Sequence, residues 1–285
     1  MDTLKIAIQK SGRLNEDSLQ LLKECDISLD NYKDQLSAKS QNFPLEVVYL
    51  RNSDIPKYVE DQIVDCAIIG ENTAKESQVS IKKVINLGFA RCRMSLAFPK
   101  SINLNSIDDI EGMKIATSYP YTLKEYLNSQ GVSVNIHLIN GSVEIAPALG
   151  LADGIFDIVS SGSTLFKNNL REQFSILKSE ACIYSSQVLS KEKQEILDKL
   201  VFRTKSVLAS KNNKYVLFNT PNEKIPEIIN LLPGIKSPTI LPLYKKDWSS
   251  IHSVINESKF WEIIDELRAL GAEGILIIPI EKMIL

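Results

Sequence analysis

Two stretches in which short strand-like apolar runs alternate with helix-patterned segments restrict this chain to an α/β layer fold. In the first stretch, Leu4–Gln9 reads as a strand, Glu16–Glu24 as a helix with Asn15 as its N-cap, and Leu45–Leu50 as a second strand. Asp54 and Pro56 open a helix toward Gln62, because proline is tolerated in a first turn. Cys66–Ile69 is a short buried strand ending at Gly70-Glu71-Asn72. In the second stretch, Met94–Phe98, Lys114–Thr117, Val132–Ile139 and Ile155–Ser160 read as strands. Thr122–Ser129 is a helix stopped by Gly131, Val143–Leu151 is helical, and Ser175–Tyr184 returns to the first block. The pattern predicts two α/β lobes, residues 1–92 with 180–211 forming one and 93–179 inserted as the other. A ligand cleft is expected outside the carboxyl ends of their strands.

Further on, Lys191–Ala209 carries a single apolar stripe of Ile196, Leu197, Leu200, Val201, Val207 and Leu208, and reads as a long helix. Ser210–Lys214 reads as a linker. Residues 212–285 then follow the order strand, helix, strand, strand, helix, strand, which is the ferredoxin-like βαββαβ arrangement of a third, smaller domain.

Composition removes several function classes. Thirty-three basic residues against 35 acidic ones give a net charge of −2, which argues against a chain that coats nucleic acid but leaves room for a local polyanion pocket. No apolar run approaches the roughly 18–20 residues of a membrane span. The opening MDTLKIAIQKSGR soon turns polar, unlike a secretory signal. Four scattered cysteines and two histidines leave no zinc pattern, and the expected compartment is a reducing cytoplasm.

Glycine is sparse, so its placement is informative. Asp153–Thr164 reads DGIFDIVSSGST, an apolar strand running into Ser160, Ser161, Gly162, Ser163 and Thr164. A glycine between hydroxyl residues at a strand end lets backbone N–H groups converge on a phosphate; a plain serine-rich turn is the competing reading. Asp153 and Asp157 could accept from ribose hydroxyls, or serve as a cap and a buried satisfied carboxylate. Lys10 and Arg13 bracket Ser11-Gly12 after the first strand, where they suit a pyrophosphate or triphosphate, or merely solvated charge. Arg51 ends LEVVYLR in a similar place, and Arg91 and Arg93 flank Cys92 on one strand face. Cys92 reads as packing and His137 as a structural histidine. Neither a Walker nor a dinucleotide fingerprint is present.

Taken together, IAIQKSGRL, DCAIIGEN, RCRMSLA, KIATSYP, NGSVEIAP, DGIFDIVSSGSTL, SPTILPL and LIIPIEKM, in this order from residue 4 almost to the end, resemble ATP phosphoribosyltransferase in its long form. The resemblance implies a two-lobed, periplasmic-binding-protein-like catalytic core with a C-terminal ferredoxin-like regulatory domain. It implies an enzyme that joins ATP to phosphoribosyl pyrophosphate (PRPP) with Mg²⁺ held mainly by substrates, and that opens histidine biosynthesis. By motif position, Asp153, Asp157 and Ser160–Thr164 would hold PRPP, with Ser161–Thr164 on its 5′-phosphate. Lys10 and Arg13 would be catalytic, and Arg51, Gly70, Glu71, Arg93 and Glu144 would line the cleft. Histidine would inhibit through Thr239, Asn219, Ala272 and Gly274. Dimers assembling into hexamers, without a separate regulatory subunit, are also implied. A non-catalytic two-lobed solute receptor is the rival; the missing signal and the extra βαββαβ unit weigh against it.

Overall fold

The computed structural model describes residues 2–30, 35–232, 234 and 237–284, and the strands among them form three sheets. The first block runs β1 (Leu4–Gln9), α1 (Arg13–Glu24), β2 (Ser37–Lys39), β3 (Leu45–Leu50), α2 (Ile55–Glu60), β4 (Cys66–Gly70), α3 (Glu71–Ser77) and β5 (Lys82–Asn86). The second runs β6 (Cys92–Pro99), β7 (Lys114–Thr117), α4 (Pro120–Gln130), β8 (Asn135–Leu138), β9 (Gly154–Val159), α5 (Ser163–Lys167) and β10 (Leu170–Ser179). The chain then returns through β11 (Ala181–Ser185) and α6 (Lys191–Lys211).

β1 pairs parallel with β3 and β4, and β11 joins β4 and β5 antiparallel, giving the order β2-β3-β1-β4-β11-β5. Ile6, Ala7 and Ile8 are all fully buried, as a central parallel strand covered on both faces requires. The second sheet has the order β10-β6-β9-β7-β8. Alternation along β6 sends Met94, Leu96 and Phe98 into one core and Ala97 into another with Ile155 and Val159. Two crossings join the sheets, one between Asn86 and Cys92 and one between Ser179 and Ala181.

Polar contacts link the two lobes. Glu76, on α3, accepts from the N–H groups of Tyr121 and Thr122 (both 2.9 Å) and from Thr122 Oγ1 (2.7 Å) at the start of α4. It satisfies amides that a helix start leaves without partners. Lys75 adds an ion pair to Glu125 at 2.8 Å.

The C-terminal unit contains β12 (Asn213–Pro221), α7 (Ile225–Leu231), β13 (Thr239–Pro242), β14 (Trp248–Asn256), α8 (Glu257–Ala269) and β15 (Glu273–Pro279). Its sheet is antiparallel with order β13-β14-β12-β15, the ferredoxin-like arrangement. Val216, Phe218, Ile251 and Ile255 pack under Ile228, Phe260 and Leu267 of the helices. The opposite face carries Tyr215, whose hydroxyl meets His252 Nδ1 at 2.8 Å, with Leu276 and Ile278 exposed beside it.

Four local expectations fail for identifiable reasons. Asn15 is no cap: α1 starts at Arg13, and Asn15 Nδ2 donates to Gln9 O at 2.7 Å from inside the helix. Val143–Leu151 makes one 3₁₀ turn, Val143–Ile145, before Pro147 and Gly150 end any helical run. Ser175–Tyr184 splits at Glu180, so its first half belongs to the second sheet. No linker follows the long helix, which continues to Lys211 and leads directly into β12, with Asn213 Nδ2 bonded to Ala209 O at 2.7 Å.

Candidate functional site

Parallel strands deliver the loops after their carboxyl ends to one edge of a sheet. In the first lobe that edge carries Lys10 after β1, Arg51 after β3, and Gly70 with Glu71 where β4 becomes α3. Lys10 N donates to Leu50 O at 2.8 Å, which continues the β1–β3 register and sets Lys10 beside Arg51. Arg13 opens α1. All three cations are exposed, and among the described residues no carboxylate pairs with them. Glu71, by contrast, is held by Lys83 at 2.9 Å.

In the second lobe the corresponding edge carries the 160–164 loop. Gly162 takes a left-handed conformation (φ +77°) that an L side chain would strain, and it caps α5. Ser161 Oγ lies 3.1 Å from Ser163 Oγ, and Ser163 N–H donates to Ser161 Oγ at 3.4 Å. Ser160, Ser161, Ser163 and Thr164 are exposed. Asp157 sits on β9 just before the loop, opposite Ser95. Burial pushes its carboxyl up, and the nearby charge of Glu144 adds to this, against one hydrogen bond from Ile158 N–H at 2.7 Å. Glu144 therefore shares this edge from the turn after β8. Tyr119, which follows β7, has its phenol pushed up to about 12 by burial and then by the Asp157 charge.

Two expected ligands sit elsewhere in the design. Asp153 is at the amino end of β9, and its carboxylate accepts from Lys114 N–H at 2.8 Å, fixing β7. At about 3.3 Å per residue, the extended strand puts it roughly 20 Å from the far end of the loop's approach. Asp153 therefore cannot share the loop's ligand. Arg93 is no free cation: Nε and Nη2 are both on the Glu172 carboxylate, and Nη1 donates to Ser160 O at 3.1 Å.

A cavity of about 550 Å³ opens at the two crossings. Glu71 contributes from the first lobe, Arg91, Cys92 and Arg93 from the first crossing, and Ser160 from the loop. Lys178, Ser179 and Glu180 line it from the second crossing, and sequence reasoning had passed over all three. Their signal was the apolar strand broken at Lys178-Ser179-Glu180, read as continuous. Arg91, unexplained by sequence, reaches Glu180 at 3.5 Å. Burial pushes the Cys92 thiol up, so it stays protonated at neutral pH and packs rather than attacks. His137 is exposed on β8 at the sheet edge, not buried in an apolar strand.

In the C-terminal unit, Asn219 on β12 and Gly274 on β15 are adjacent, an added Gly274 Cβ lying 3.6 Å from Asn219 Nδ2. Ala272 is buried in the turn before them. Thr239 lies on the edge strand β13 opposite His252, two strands from Asn219 on the helix-free face.

A family model described as ATP phosphoribosyltransferase matches residues 51–206, and one described as HisG, C-terminal domain, matches residues 210–282. The chain is 51% identical over 282 residues to the ATP phosphoribosyltransferase of Phocaeicola vulgatus, covering 99% of this chain and 100% of that one. It is 50% identical, with the same coverage, to that of Bacteroides fragilis. Among solved structures, the ATP phosphoribosyl transferase (HisG:HisZ) complex from Thermotoga maritima matches with a TM-score of 0.61 and 28% identity, over 71% of this chain and 99% of that one. The periplasmic sulfonate-binding protein SsuA from Methylobacillus flagellatus matches with a TM-score of 0.50 at 18% identity, over 72% of this chain and 67% of its own; this likeness is one of fold. The core is thus of the two-lobed periplasmic-binding-protein type. With both its core and its βαββαβ unit matched, and with relatives half identical from end to end, the chain belongs to the ATP phosphoribosyltransferase family, whose members are pentosyltransferases.

Proposed function

We propose that this chain transfers the phosphoribosyl group of PRPP to N1 of the adenine of ATP, forming N1-(5-phosphoribosyl)-ATP and pyrophosphate. In this reading it opens L-histidine biosynthesis in the cytoplasm and is inhibited by histidine at its C-terminal unit. The observation that carries the proposal is the charge arrangement at two strand edges. Lys10, Arg13 and Arg51 remain unpaired among the described residues at one, and a glycine-turned hydroxyl loop stands at the other. A near-neutral chain that leaves three cations unpaired at one edge has a local field suited to a polyanion.

The chemistry follows from that placement. The C1–N1 bond forms as the C1–O bond to pyrophosphate breaks, and the electron pair leaves with the pyrophosphate. Lys10 and Arg13 meet the charge that grows there, while Ser161–Thr164 hold the 5′-phosphate still. Asp157 and Glu144 accept from ribose hydroxyls and stabilise positive character on the sugar. Burial is the main cause of the raised Asp157 and the Glu144 charge adds to it, so a cation arriving on the substrate, such as Mg²⁺, would relieve both. Such an ion offsets phosphate charge. Arg13→Ala is expected to lower turnover more than it raises Michaelis constants, because its partner charge develops only in the transition state.

Incubating the purified chain with ATP, PRPP and Mg²⁺ and following pyrophosphate release tests the activity; no ATP-dependent release would refute it. Histidine should inhibit without competing with PRPP, and Thr239→Leu should abolish that inhibition. Homodimers assembling to hexamers, with no separate regulatory subunit, complete the proposal. Inhibition and activity that need no second polypeptide in the assay would support it.

A further inference from the structure

Arg93 sits at the centre of the second sheet's loop end, aligned with Val159 of β9 on one side and Lys178 of β10 on the other. Its guanidinium makes three directed contacts. Nε reaches Glu172 Oε1 at 2.5 Å, Nη2 reaches Oε2, and Nη1 reaches the Ser160 carbonyl at 3.1 Å. Glu172 is fixed in turn by Ser95 Oγ, which donates to Oε1 at 2.8 Å from a fully buried position. The pairing holds the Glu172 carboxyl below the usual carboxylate range. β10 shifts register against β6 twice between Glu172 and Lys178, at Glu172/Phe174 and Ser175/Leu177, the kind of irregularity that bends a strand.

Two physical consequences follow. A guanidinium engaged side-on by a carboxylate is neutralised and offers little net charge to a phosphate. The third contact acts on a peptide plane: in a trans peptide the C=O and the following N–H point in opposite directions. Holding the Ser160 carbonyl on the sheet side therefore turns the Ser161 N–H the other way, toward the loop that Gly162 bends.

We infer that Arg93 and Glu172 form a positioning pair which, through the Ser160 carbonyl, aims the Ser161 amide at the 5′-phosphate of the phosphoribosyl substrate. This rests on the loop assignment proposed above. Arg93 then works through Ser160 and does not touch the substrate, and Glu172 is required because it fixes the plane of the guanidinium.

The test uses the full chain and ribose 5-phosphate as the probe, with ATP as the second ligand, both by calorimetry. Glu172→Gln separates the possibilities by sign. If Arg93 were a direct cation for the phosphate, removing its counter-charge would tighten ribose 5-phosphate binding. The positioning pair predicts the opposite, a dissociation constant raised roughly tenfold to a hundredfold, as for the loss of one hydrogen bond to a charged group. ATP affinity should stay within about twofold. Arg93→Lys should weaken the probe similarly, and the double variant should be little worse than either alone, since both break one unit. Ser95→Ala removes one bond without changing charge and should cause a smaller loss in the same direction; it keeps the test available should Arg93→Lys fold poorly. Tighter or unchanged probe binding in Glu172→Gln overturns the inference and leaves the loop assignment standing. Equal loss of ATP and probe overturns it as well. A wild-type chain that does not bind ribose 5-phosphate overturns the loop assignment, and the inference with it.

Discussion

Gly70 lies at the junction of β4 and α3 with φ −67° and ψ 142°, an extended backbone that any residue adopts. Its substitution therefore isolates a steric effect. A Cβ there would lie 2.3 Å from Asn72 Oδ1, so that oxygen must retreat by roughly an ångström to reach ordinary contact. It has little freedom to do so. Asn72 is 5% exposed, its Oδ1 accepts from Ser179 Oγ at 2.9 Å, and its N–H donates back to the same hydroxyl at 3.0 Å. Gly70→Ala thus breaks the Oδ1 bond and strands two buried polar groups, at about 1–3 kcal/mol. Reduced freedom of the unfolded chain returns about 0.4–1 kcal/mol. The expected net loss is about 1–2 kcal/mol, read as a lower urea midpoint with unchanged slope. The decisive comparison is the same change made in an Asn72→Ala background, where the obstructing oxygen is gone and Gly70→Ala should be neutral or slightly stabilising. An equal loss in both backgrounds would refute the steric argument.

The two aspartates of this strand, Asp153 just before β9 and Asp157 within it, should separate cleanly. Asp157→Asn is expected to weaken PRPP binding roughly tenfold, whereas Asp153→Asn should leave it within about twofold and cost about 1 kcal/mol of stability; comparable effects on PRPP would contradict their placement at opposite strand ends. Glu76→Ala removes three acceptor contacts across the lobes and should lower stability by about 1–3 kcal/mol, with an unchanged melting temperature counting against the latch. The Arg93–Glu172 pair should be acid-sensitive. Because the folded carboxyl is held below its usual range, its stabilisation is fully present above that range and is lost as pH falls through the lowered value. The stability gap between wild type and Glu172→Gln should accordingly close on acidification, and a gap that persists would rule out the ionic contribution.

Much of the frame could be read from the chain because buried strands carry their signature locally. Leu45–Leu50 and Met94–Phe98 alternate or run apolar, and the structure returns them as β3 and the centre of β6. Gly131 adopts the left-handed conformation (φ +75°) its place after α4 required. Errors came where a local pattern had two outcomes. Asn15 could cap a helix or bond backward from within it, and the helix took its first turn from Arg13. Ser175–Tyr184 reads as one strand but serves two sheets, and the polar Lys178-Ser179-Glu180 marks the change. Asp153 stands four positions before Asp157 along an extended strand, about 13 Å away and too far for both to meet one ribose, a spacing already legible in the sequence.

Pairing of charge is a different matter, because it depends on partners far along the chain. Arg93 and Glu172 are 79 residues apart, and the two register shifts between β10 and β6 have no sequence signal of their own. The same holds for Lys83 with Glu71 and Arg91 with Glu180. Sequence therefore offered five candidate cations, Lys10, Arg13, Arg51, Arg91 and Arg93, without showing which had acidic partners, and the fold divided them. Arg91 and Arg93 are matched by acids, while Lys10, Arg13 and Arg51 are unpaired among the described residues. A net charge of −2 hides this division, since neutrality of the whole chain is compatible with a strongly positive edge. In the proposed reaction that edge would give a departing pyrophosphate its counter-charge, and in the proposed positioning role Arg93, already paired with Glu172, would supply geometry in place of field.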